Sequence, residues 1–366
     1  QAGYNNTSGV LNHFAGYNAG KANTTGSNNH FSGYTAGAKN LTGNNNHFVG
    51  HAAGFANSEG SNNHFEGYLA GYNNSAGDDN TFIGNSAGTN NNLGNRNVFV
   101  GLRAGLLNDG ERNTFIGTDG GRANRTGDDN VFVGMQAGYG NNSGNRNVFV
   151  GNQAGEANIT GSNNFMAGYH AGHGNVAGEG NCFVGNEAGI TNDIGSNNTV
   201  IGYQADVSNG ALFNAGAIGY KARVSQNNSF VIGGLGADAV RVGIGTDVPA
   251  FTLHVNGSVA GTAPYLNLSD SRLKKNILPL AGALTGILQL QAVSYDWKKE
   301  DYPQIKFDDK RQIGFLAQEL EKVFPEAVTV SATGFYSIAY SQLIPVVVQG
   351  IKEQQAQVNE LKEENK

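Results

Sequence analysis

The C-terminal part of this 366-residue chain has an unusual set of reactive side chains. No histidine follows His254, and no cysteine follows Cys182, which is the single cysteine of the sequence. A hydroxyl nucleophile in this part therefore needs another base, and lysine is the available one if burial lowers its pKa. Any nucleophilic chemistry here is expected to pair a hydroxyl with an amine.

The other motifs that carry chemistry are weak. Asp78-Asp79 and Asp128-Asp129 stand at equivalent positions, and we interpret them as polar turn residues rather than calcium ligands. No acidic pair recurs with the spacing that glycoside hydrolysis requires. The isolated Gly243-x-Gly245 lacks the residues of a nucleotide loop after it, and residues 240–258 are interpreted as short strands around a turn. The sequence therefore predicts no cofactor and no metal ion.

Composition and charge exclude further classes of protein. The net charge is −6 without a basic patch, so the electrostatic footprint of a nucleic-acid-binding protein is missing. The apolar runs are too short to cross a bilayer, which predicts no membrane insertion within this chain. Because the chain begins at Gln1, we expect its natural N-terminus and any signal peptide to lie outside this sequence. All six prolines and Trp297 lie after residue 248, which indicates that two different kinds of protein are joined.

A repeat of 17 residues, with one 16-residue step, organises the N-terminal part. Its motif is Asn-x-Phe-x-Gly-x-x-Ala-Gly, and the residue at the Phe position recurs thirteen times, at Phe14, Phe31, Phe48, Phe65, Phe82, Phe99, Phe115, Phe132, Phe149, Met166, Phe183, Val200 and Ala217. A unit this short cannot bury its own apolar face and must stack on its neighbours. The strand-like alternation and the corner glycines predict a β-solenoid with Phe inside and rows of Asn hydrogen-bonded along the stack.

The residues beside the inward position indicate self-association. Segments such as Val98-Phe99-Val100 and Val131-Phe132-Val133 are apolar on both faces of the strand. One face is the interior of the coil. An exposed Val and Ile ladder of this length on the other face would favour association with another molecule. We therefore expect three such rods around one axis. Over residues 1–235 the pattern resembles the left-handed β-roll of trimeric autotransporter adhesin heads, with a longer repeat.

The first four turns are more polar than the rest. They carry histidines beside the inward Phe and a row of rings three residues after it; these are His13, His30, His47 and His64, and Tyr17, Tyr34, His51 and Tyr68. A local variant of the same packing is one interpretation, and a carbohydrate-binding surface of stacked rings with Asn donors is the other. In a trimer the four histidines would form rings around the axis, which either pack as neutral imidazoles or bind a metal or an anion. Protonation below about pH 6.5 would loosen this end.

Five motif blocks follow one another in the C-terminal part. They are Ser269–Ile277 (SDSRLKKNI), Tyr295-Asp-Trp297, Gln312–Glu319 (QIGFLAQE), Phe324-Pro-Glu326 and Tyr340-Ser-Gln-Leu343. Together they closely resemble the intramolecular chaperone auto-processing domain at the C-terminus of endosialidases and other phage tail spikes and fibres.

That resemblance implies a role for two residues. In the family, the serine that opens the first block attacks the peptide bond on its own N-terminal side, and the lysine of Arg-Leu-Lys assists. The matching positions are Ser269 and Lys274, the cleavage site would be Leu268–Ser269, and the activity would be at most a single-turnover self-cleavage. Residues five apart do not share one face of a helix or strand, so a turn or a neighbouring subunit must bring them together.

Three parts are expected along the chain. They are a β-solenoid over residues 1–235, a β connector over 236–268, and a small α+β chaperone domain over 269–366 that ends in a coiled-coil helix. The heptad positions of that helix are Ile344, Val347, Ile351, Val358 and Leu361.

The combined expectation is a mainly β, homotrimeric, extracellular fibre of the virion-tail or bacterial-surface type. It would be structural or adhesive, with itself and a cell-surface glycan or receptor as partners, and with a chaperone domain that aligns three chains before it is cut off. A glycan-degrading tail spike is the alternative. An ice-binding solenoid is disfavoured because the threonines are scattered rather than arranged in flat rows.

Overall fold

The structure is a computed structural model that describes residues 1–262, 266–303, 305–331 and 334–365. Within these ranges the chain forms two units, Gln1–Val240 and Arg241–Lys366. The boundary predicted after residue 235 lies just before this division, and the one predicted after residue 268 falls inside the second unit. Among the described residues, no helix combines the length and the apolar character that crossing a membrane requires.

Fourteen short strands of the first unit form one parallel sheet in which neighbours pair in register, as Phe31 does with Phe48. They are β1 (His13–Ala15), β2 (His30–Ser32), β3 (His47–Val49), β4 (His64–Glu66), β5 (Thr81–Ile83), β6 (Val98–Val100), β7 (Thr114–Ile116), β8 (Val131–Val133), β9 (Val148–Val150), β10 (Phe165–Ala167), β11 (Cys182–Val184), β12 (Thr199–Ile201), β14 (Gly216–Ile218) and β16 (Phe230–Ile232). A second parallel pair, β13 (Asp206–Val207) and β15 (Arg223–Val224), accompanies the last turns. The predicted mainly β solenoid is confirmed.

The middle residue of each strand points into the coil. The eight phenylalanines at this position from Phe31 to Phe149 are 0% exposed, and their rings stack on those of the next turn with centroids 4.7–4.8 Å apart. Small residues such as Ala36 and Ala53 fill the opposite side of the core. Burial of one phenylalanine side chain stabilises a fold by about 1.5–3 kcal/mol, so this column contributes to the solenoid's stability at every turn.

Two columns of buried asparagines join the turns. In one column each Nδ2 donates to the equivalent Oδ1 one turn earlier, as from Asn40 to Asn23 at 2.7 Å and from Asn57 to Asn40 at 2.8 Å. In the other column each Oδ1 accepts from a backbone N–H one turn later, as Asn29 does from Asn46 N at 3.0 Å. An unpaired buried amide costs about 1–3 kcal/mol, so these ladders penalise a slipped register. The predicted hydrogen-bonded rows of asparagine are confirmed.

Glycine is required where turns approach most closely. Gly101 has a φ of +135°, and a Cβ there would lie 2.6 Å from the carbonyl oxygen of Gly117 on the next turn. Gly105 has a φ of +59°, and a Cβ there would lie 2.5 Å from the ring of Phe99. A side chain at either corner would separate two turns or displace a core ring.

The solenoid departs from its repeat in two places. The 16-residue step is absorbed at the corner where Asn108 Nδ2 donates to Gly110 O, two residues on instead of three, and the strands on either side keep their register. A fourteenth strand, β16, follows the thirteen predicted turns and pairs Val231 with Ala217. The repeat did not predict this strand, because the distance between equivalent residues of the last two turns is only 14 residues.

The second unit is a small α+β assembly. Its strands form three pairs: β17 (Val242–Ile244) with β18 (Leu253–Val255), β19 (Val293–Tyr295) with β20 (Gln312–Gly314), and β21 (Val328–Val330) with β22 (Tyr336–Ile338). The helices are α1 (Ala283–Ile287), α2 (Ala317–Leu320) and α3 (Leu343–Glu364). Helix α1 packs closely on α3, because a Cβ at Gly350 would lie 2.5 Å from Ile287 Cδ1. Glu353 also fixes this contact by accepting a hydrogen bond from Leu284 N at 2.8 Å.

Candidate functional site

A single turn of chain brings Ser269 and Lys274 together. Asp270 caps the 3₁₀ turn Ser271–Leu273 by accepting a hydrogen bond from Arg272 N at 2.9 Å. Beyond this turn, Lys274 Nζ donates to Ser269 Oγ at 2.7 Å. The spacing left open whether a turn or another subunit would join the two residues, and in this structure the turn does so. A neutral amine in this position is within reach of the hydroxyl proton.

A close ion pair occupies the same turn. Arg272 Nη2 lies 2.6 Å from Asp270 Oδ2, and its hydrogen bonds hold the pKa of the Asp270 carboxyl below its ordinary value. Asp270 is therefore charged at neutral pH and is paired with Arg272. Lys274 remains free to contact Ser269.

The segment that carries the pair is exposed in the single chain. Ser269 and Lys274 are exposed, and Leu268, on the other side of the predicted scissile bond, is 86% exposed. Ile277 and Leu278 follow with exposures of 68% and 83%. Apolar side chains exposed in succession are typical of a surface that another molecule covers.

The solenoid has an apolar strip on the outer face of its large sheet. The residues on either side of the buried Phe column form this strip from β5 to β12, and most of them are Val, Ile or Thr. Val98, Ile116, Val150 and Phe165 are 37%, 41%, 41% and 44% exposed. Because the strands pair in register, these side chains form continuous columns along the stack.

The four N-terminal histidines continue one of these columns. The rings of His13, His30, His47 and His64 stack with centroids 4.8 Å apart. Burial lowers the pKa of His47, and the nearby His64 and His30 lower it further, whereas Glu66 acts in the opposite direction. Adjacent charged rings would repel one another, so the charged form of His47 is disfavoured.

The predicted row of rings after the strands is also present. Its members stack with centroids 5.0–5.2 Å apart, and they are Tyr17, Tyr34, His51 and Tyr68. A second row, Phe55 and Tyr72, stacks at 4.9 Å and was missed from the sequence. The sequence does contain a sign of this row, because on two consecutive turns an aromatic residue stands seven residues after the core Phe. A groove of about 570 Å³ lies between the two rows.

The paired acids make contacts between neighbouring turns. Asp78 Oδ1 accepts a hydrogen bond from Ser61 N at 2.7 Å, and Asp129 Oδ1 accepts one from Arg112 Nε at 2.6 Å. Within the described part of the chain, no group of three or more His, Cys, Asp or Glu side chains has a geometry that would hold a metal ion.

The fold and the site together define a class of protein: a β-solenoid joined to a small C-terminal domain with a serine–lysine pair at its start. Residues 269–329 match the family described as chaperone of endosialidase. The match begins at Ser269, and it extends through α1, β19, β20 and α2. The resemblance that the motif blocks indicated is confirmed for this region.

Curated proteins with similar sequences include phage fibre proteins. The long tail fiber proteins Gp37 of Enterobacteria phages M1 and Ox2 are each 32% identical over 145 residues, which is 35% of this chain and 56% of each relative. Myelin regulatory factor homolog 1 of Caenorhabditis elegans is 35% identical over 94 residues, which is 25% of this chain and 10% of that protein. The chain thus spans about half the length of the tail fibre relatives that it matches.

Proposed function

We propose that this protein is a structural fibre whose shaft is the β-solenoid and whose C-terminal region is a chaperone for its assembly. The observation that carries the proposal is the chaperone-family match in the same chain as a long stack of turns. Similarity to long tail fiber proteins supports it. Near-identical turns have many slipped pairings and a costly nucleus, so a domain that holds the chains in register at one end assists folding.

The assembled fibre is a homotrimer in this proposal. The apolar strip from β5 to β12 supports it, since a solvent-facing strip of this length favours association. Helix α3 adds a second surface, because its heptad residues Ile344, Val347 and Ile351 are 64%, 47% and 59% exposed within the chain. Closed threefold symmetry would allow three chains to cover each of these surfaces.

Light scattering on the purified full chain tests the trimer. We expect the mass of three chains, and Val133→Asp, in the apolar strip, is expected to shift the protein towards monomer. Asn85→Asp is the matched control, because Asn85 is exposed and lies outside the strands. A monomeric or dimeric wild-type protein would refute this stoichiometry.

Self-cleavage at Leu268–Ser269 is the second step of the proposal. Neutral Lys274 takes the Oγ proton as Ser269 attacks the carbonyl carbon of Leu268, and that proton passes to the departing amine of Ser269. The peptide C–N bond breaks, and an ester joins the Leu268 acyl group to Ser269 Oγ. Water hydrolyses this ester, which leaves a carboxylate on Leu268 and a free hydroxyl and amine on Ser269. The nucleophile leaves with the product, so each chain reacts once.

Cleavage follows assembly in this proposal. A lysine becomes a base near neutral pH when burial lowers its pKa, and Lys274 is exposed in the single chain. A second copy that covers the exposed segment around Leu278 would supply that burial. Removal of the chaperone then makes folding irreversible, so the fibre is kinetically trapped.

Mass spectrometry of freshly expressed protein tests the cleavage. We expect two products, residues 1–268 and 269–366, and we expect Ser269→Ala and Lys274→Ala to remain full length. Lys275→Ala removes the neighbouring exposed lysine and should be cut like wild type. If wild type stays intact while it is trimeric, the peptidase role is wrong and the chaperone role stands alone.

An extracellular location completes the proposal. The similarity to tail fibre proteins favours a fibre on a virion over one on a bacterial surface, and an adhesive role would make a cell-surface glycan or receptor its partner. Binding of labelled full chain to intact bacterial cells would test the adhesive role.

A further inference from the structure

The groove between the two rows of rings is local to the first turns, although the backbone that forms it repeats along the whole solenoid. On later turns the position of Tyr34 and Tyr68 is occupied by Asn85, Thr118 and Asn186, and it is tyrosine again at Tyr169, Tyr203 and Tyr220. Those turns stack with the same strand register, so the fold does not require rings at this position. Aromatic side chains in excess of what folding needs, and half exposed, indicate a binding surface.

The groove has ring-lined walls and an apolar floor. Tyr34 and His51 stack at 5.0 Å on one side, and Phe55 and Tyr72 stack at 4.9 Å on the other. Ala52, 3% exposed, forms part of the floor between them. The rings follow one another along the stack, so the groove runs parallel to the axis of the solenoid.

Polar groups lie at the edges of the groove. Thr35, Asn73 and Thr89 line it together with the tyrosine rings, and Tyr34 is 52% exposed. None of the lining residues is Asp, Glu, Lys or Arg. A cation stands beside one wall of the groove, because Lys39 Nζ lies 4.9 Å from the centroid of the Phe55 ring. The lining itself offers apolar ring surface and neutral hydrogen-bonding groups, which is the composition of a site for a neutral ligand with both apolar and hydroxyl faces.

We propose that this groove binds a neutral, linear glycan that lies along the solenoid axis. The C–H faces of sugar rings would pack on the aromatic side chains, and sugar hydroxyls would bond to the tyrosine hydroxyls and to Asn73. An added peptide strand fits less well, because the floor N–H groups of Ala52 and Leu69 already donate to carbonyls of the preceding turn. Nucleic acid is disfavoured by the absence of basic residues in the lining.

This inference rests on the proposed adhesive function, and it assigns that function a ligand class and a place. The test is an array of neutral and acidic oligosaccharides probed with the full chain, followed by calorimetric titration of the strongest neutral ligand. We expect affinity to rise with the number of sugar units until the groove is filled. The variant Tyr34→Asn/His51→Asn, which installs the residue that this position has at Asn85 and Asn186, should weaken binding about tenfold or more. Phe55→Thr/Tyr72→Thr should do the same through the other wall.

The control is Tyr203→Asn/Tyr220→Asn, which removes a stacked pair of rings in the same column but far from the groove. It should bind like wild type, and an unchanged unfolding midpoint would show that all three variants are folded. Binding by acidic glycans alone, no glycan binding, or equal losses in groove and control variants would each overturn the inference.

If the groove variants bind cells as wild type does, the adhesive function stands and this groove is not its site. Glycan binding that depends on the groove without adhesion to cells would uphold the site and refute the adhesive function.

Discussion

The two units of the chain bury their apolar side chains in different ways. In the solenoid the phenylalanine column is 0% exposed, because each turn finds its packing partner in the next turn of the same chain. In the C-terminal unit Leu266, Leu288 and Ile313 are 93%, 76% and 84% exposed, and a small core forms around Leu320. The solenoid therefore completes its core within one chain, whereas the C-terminal unit leaves these large apolar side chains exposed in the single chain.

This difference separates two kinds of stability. The stability of the solenoid core is a sum of similar contacts between neighbouring turns of one chain, and such contacts do not depend on protein concentration. The C-terminal unit would gain much of its stability from association, which does depend on concentration. Substitutions in the solenoid core and substitutions on the exposed apolar surfaces should therefore differ in the measurement that reveals them.

Removing one core ring should have the largest effect. Phe132→Ala deletes a fully buried ring that stacks at 4.8 Å on the rings of Phe115 and Phe149. We expect a loss of about 3–5 kcal/mol in the free energy of unfolding, measured by denaturant titration with the chaperone unit present. Phe213→Ala is the control, because Phe213 is 49% exposed and its loss should cost about 1 kcal/mol or less. Equal losses would mean that the phenylalanine column is not the core that holds the turns.

Removing one member of the asparagine ladder should cost somewhat less. Asn91 Nδ2 donates to Asn74 Oδ1 at 2.9 Å and to Gly94 O at 2.8 Å, and its Oδ1 accepts from Asn108 Nδ2 at 2.9 Å. Asn91→Ala leaves these buried groups without partners, and we expect a loss of about 2–3 kcal/mol by the same titration. The exposed Asn73, whose Nδ2 donates to Asn90 Oδ1 at 2.7 Å, offers the control Asn73→Ala, with an expected change of about 0.5 kcal/mol. A negligible effect at Asn91 would argue that water replaces the amide within the coil.

Much of the solenoid could be predicted from its sequence, because each structural demand recurs at a fixed position. The inward Phe, the buried Asn and the corner Gly are each required once per turn, so even the 16-residue step did not hide them. The fourteenth strand was not predicted, because Val231 follows a shorter step and is not flanked by the residues of the repeat motif. The second row of rings was not predicted, because Phe55 and Tyr72 form only one stacked pair at a position whose residue type varies on other turns.

The serine–lysine pair shows a different limit. A family resemblance selected Ser269 and Lys274, but a spacing of five residues does not specify how the chain turns between them. The turn depends on Asp270 accepting from Arg272 N, a local contact that becomes evident only with the backbone in place. Whether another chain covers this segment cannot be read from one copy of the sequence, since exposed leucines are compatible with several partners.

A charge on the exposed segment of the C-terminal unit should impair association more than folding. Leu278 is 83% exposed in the single chain, so Leu278→Asp would change the stability of an isolated chain by about 0.5 kcal/mol or less. If another copy covers this segment, the same variant buries a charge, and the trimer should dissociate at a protein concentration at least about tenfold higher. Sedimentation at several concentrations measures this shift. Lys298→Asp, on an exposed residue outside the segment, is the control, and equal behaviour of the two variants would show that Leu278 is not at an interface.

The smallest expected effect tests whether the polar end of the solenoid responds to pH. Burial and the neighbouring His64 and His30 lower the pKa of His47. The His47 side chain therefore binds a proton less readily in the folded state than in the unfolded state, where its pKa is 6.5. A histidine of this kind contributes its full stability above the unfolded pKa and loses it as the pH falls through that value towards the lower pKa of the folded state.

Thermal unfolding from pH 7.5 to pH 5 should therefore show a midpoint that falls by about 2 °C more in wild type than in His47→Thr, which installs the residue that the column has at Thr81 and Thr114. The control His170→Gln should keep the wild-type dependence, because His170 lies on another column and bonds to Gln153 at 2.6 Å. A midpoint that rises on acidification, or one that His47→Thr leaves unchanged, would contradict the assignment. Acidification would then have to act elsewhere, and the N-terminal turns would be as insensitive to protons as the apolar ones.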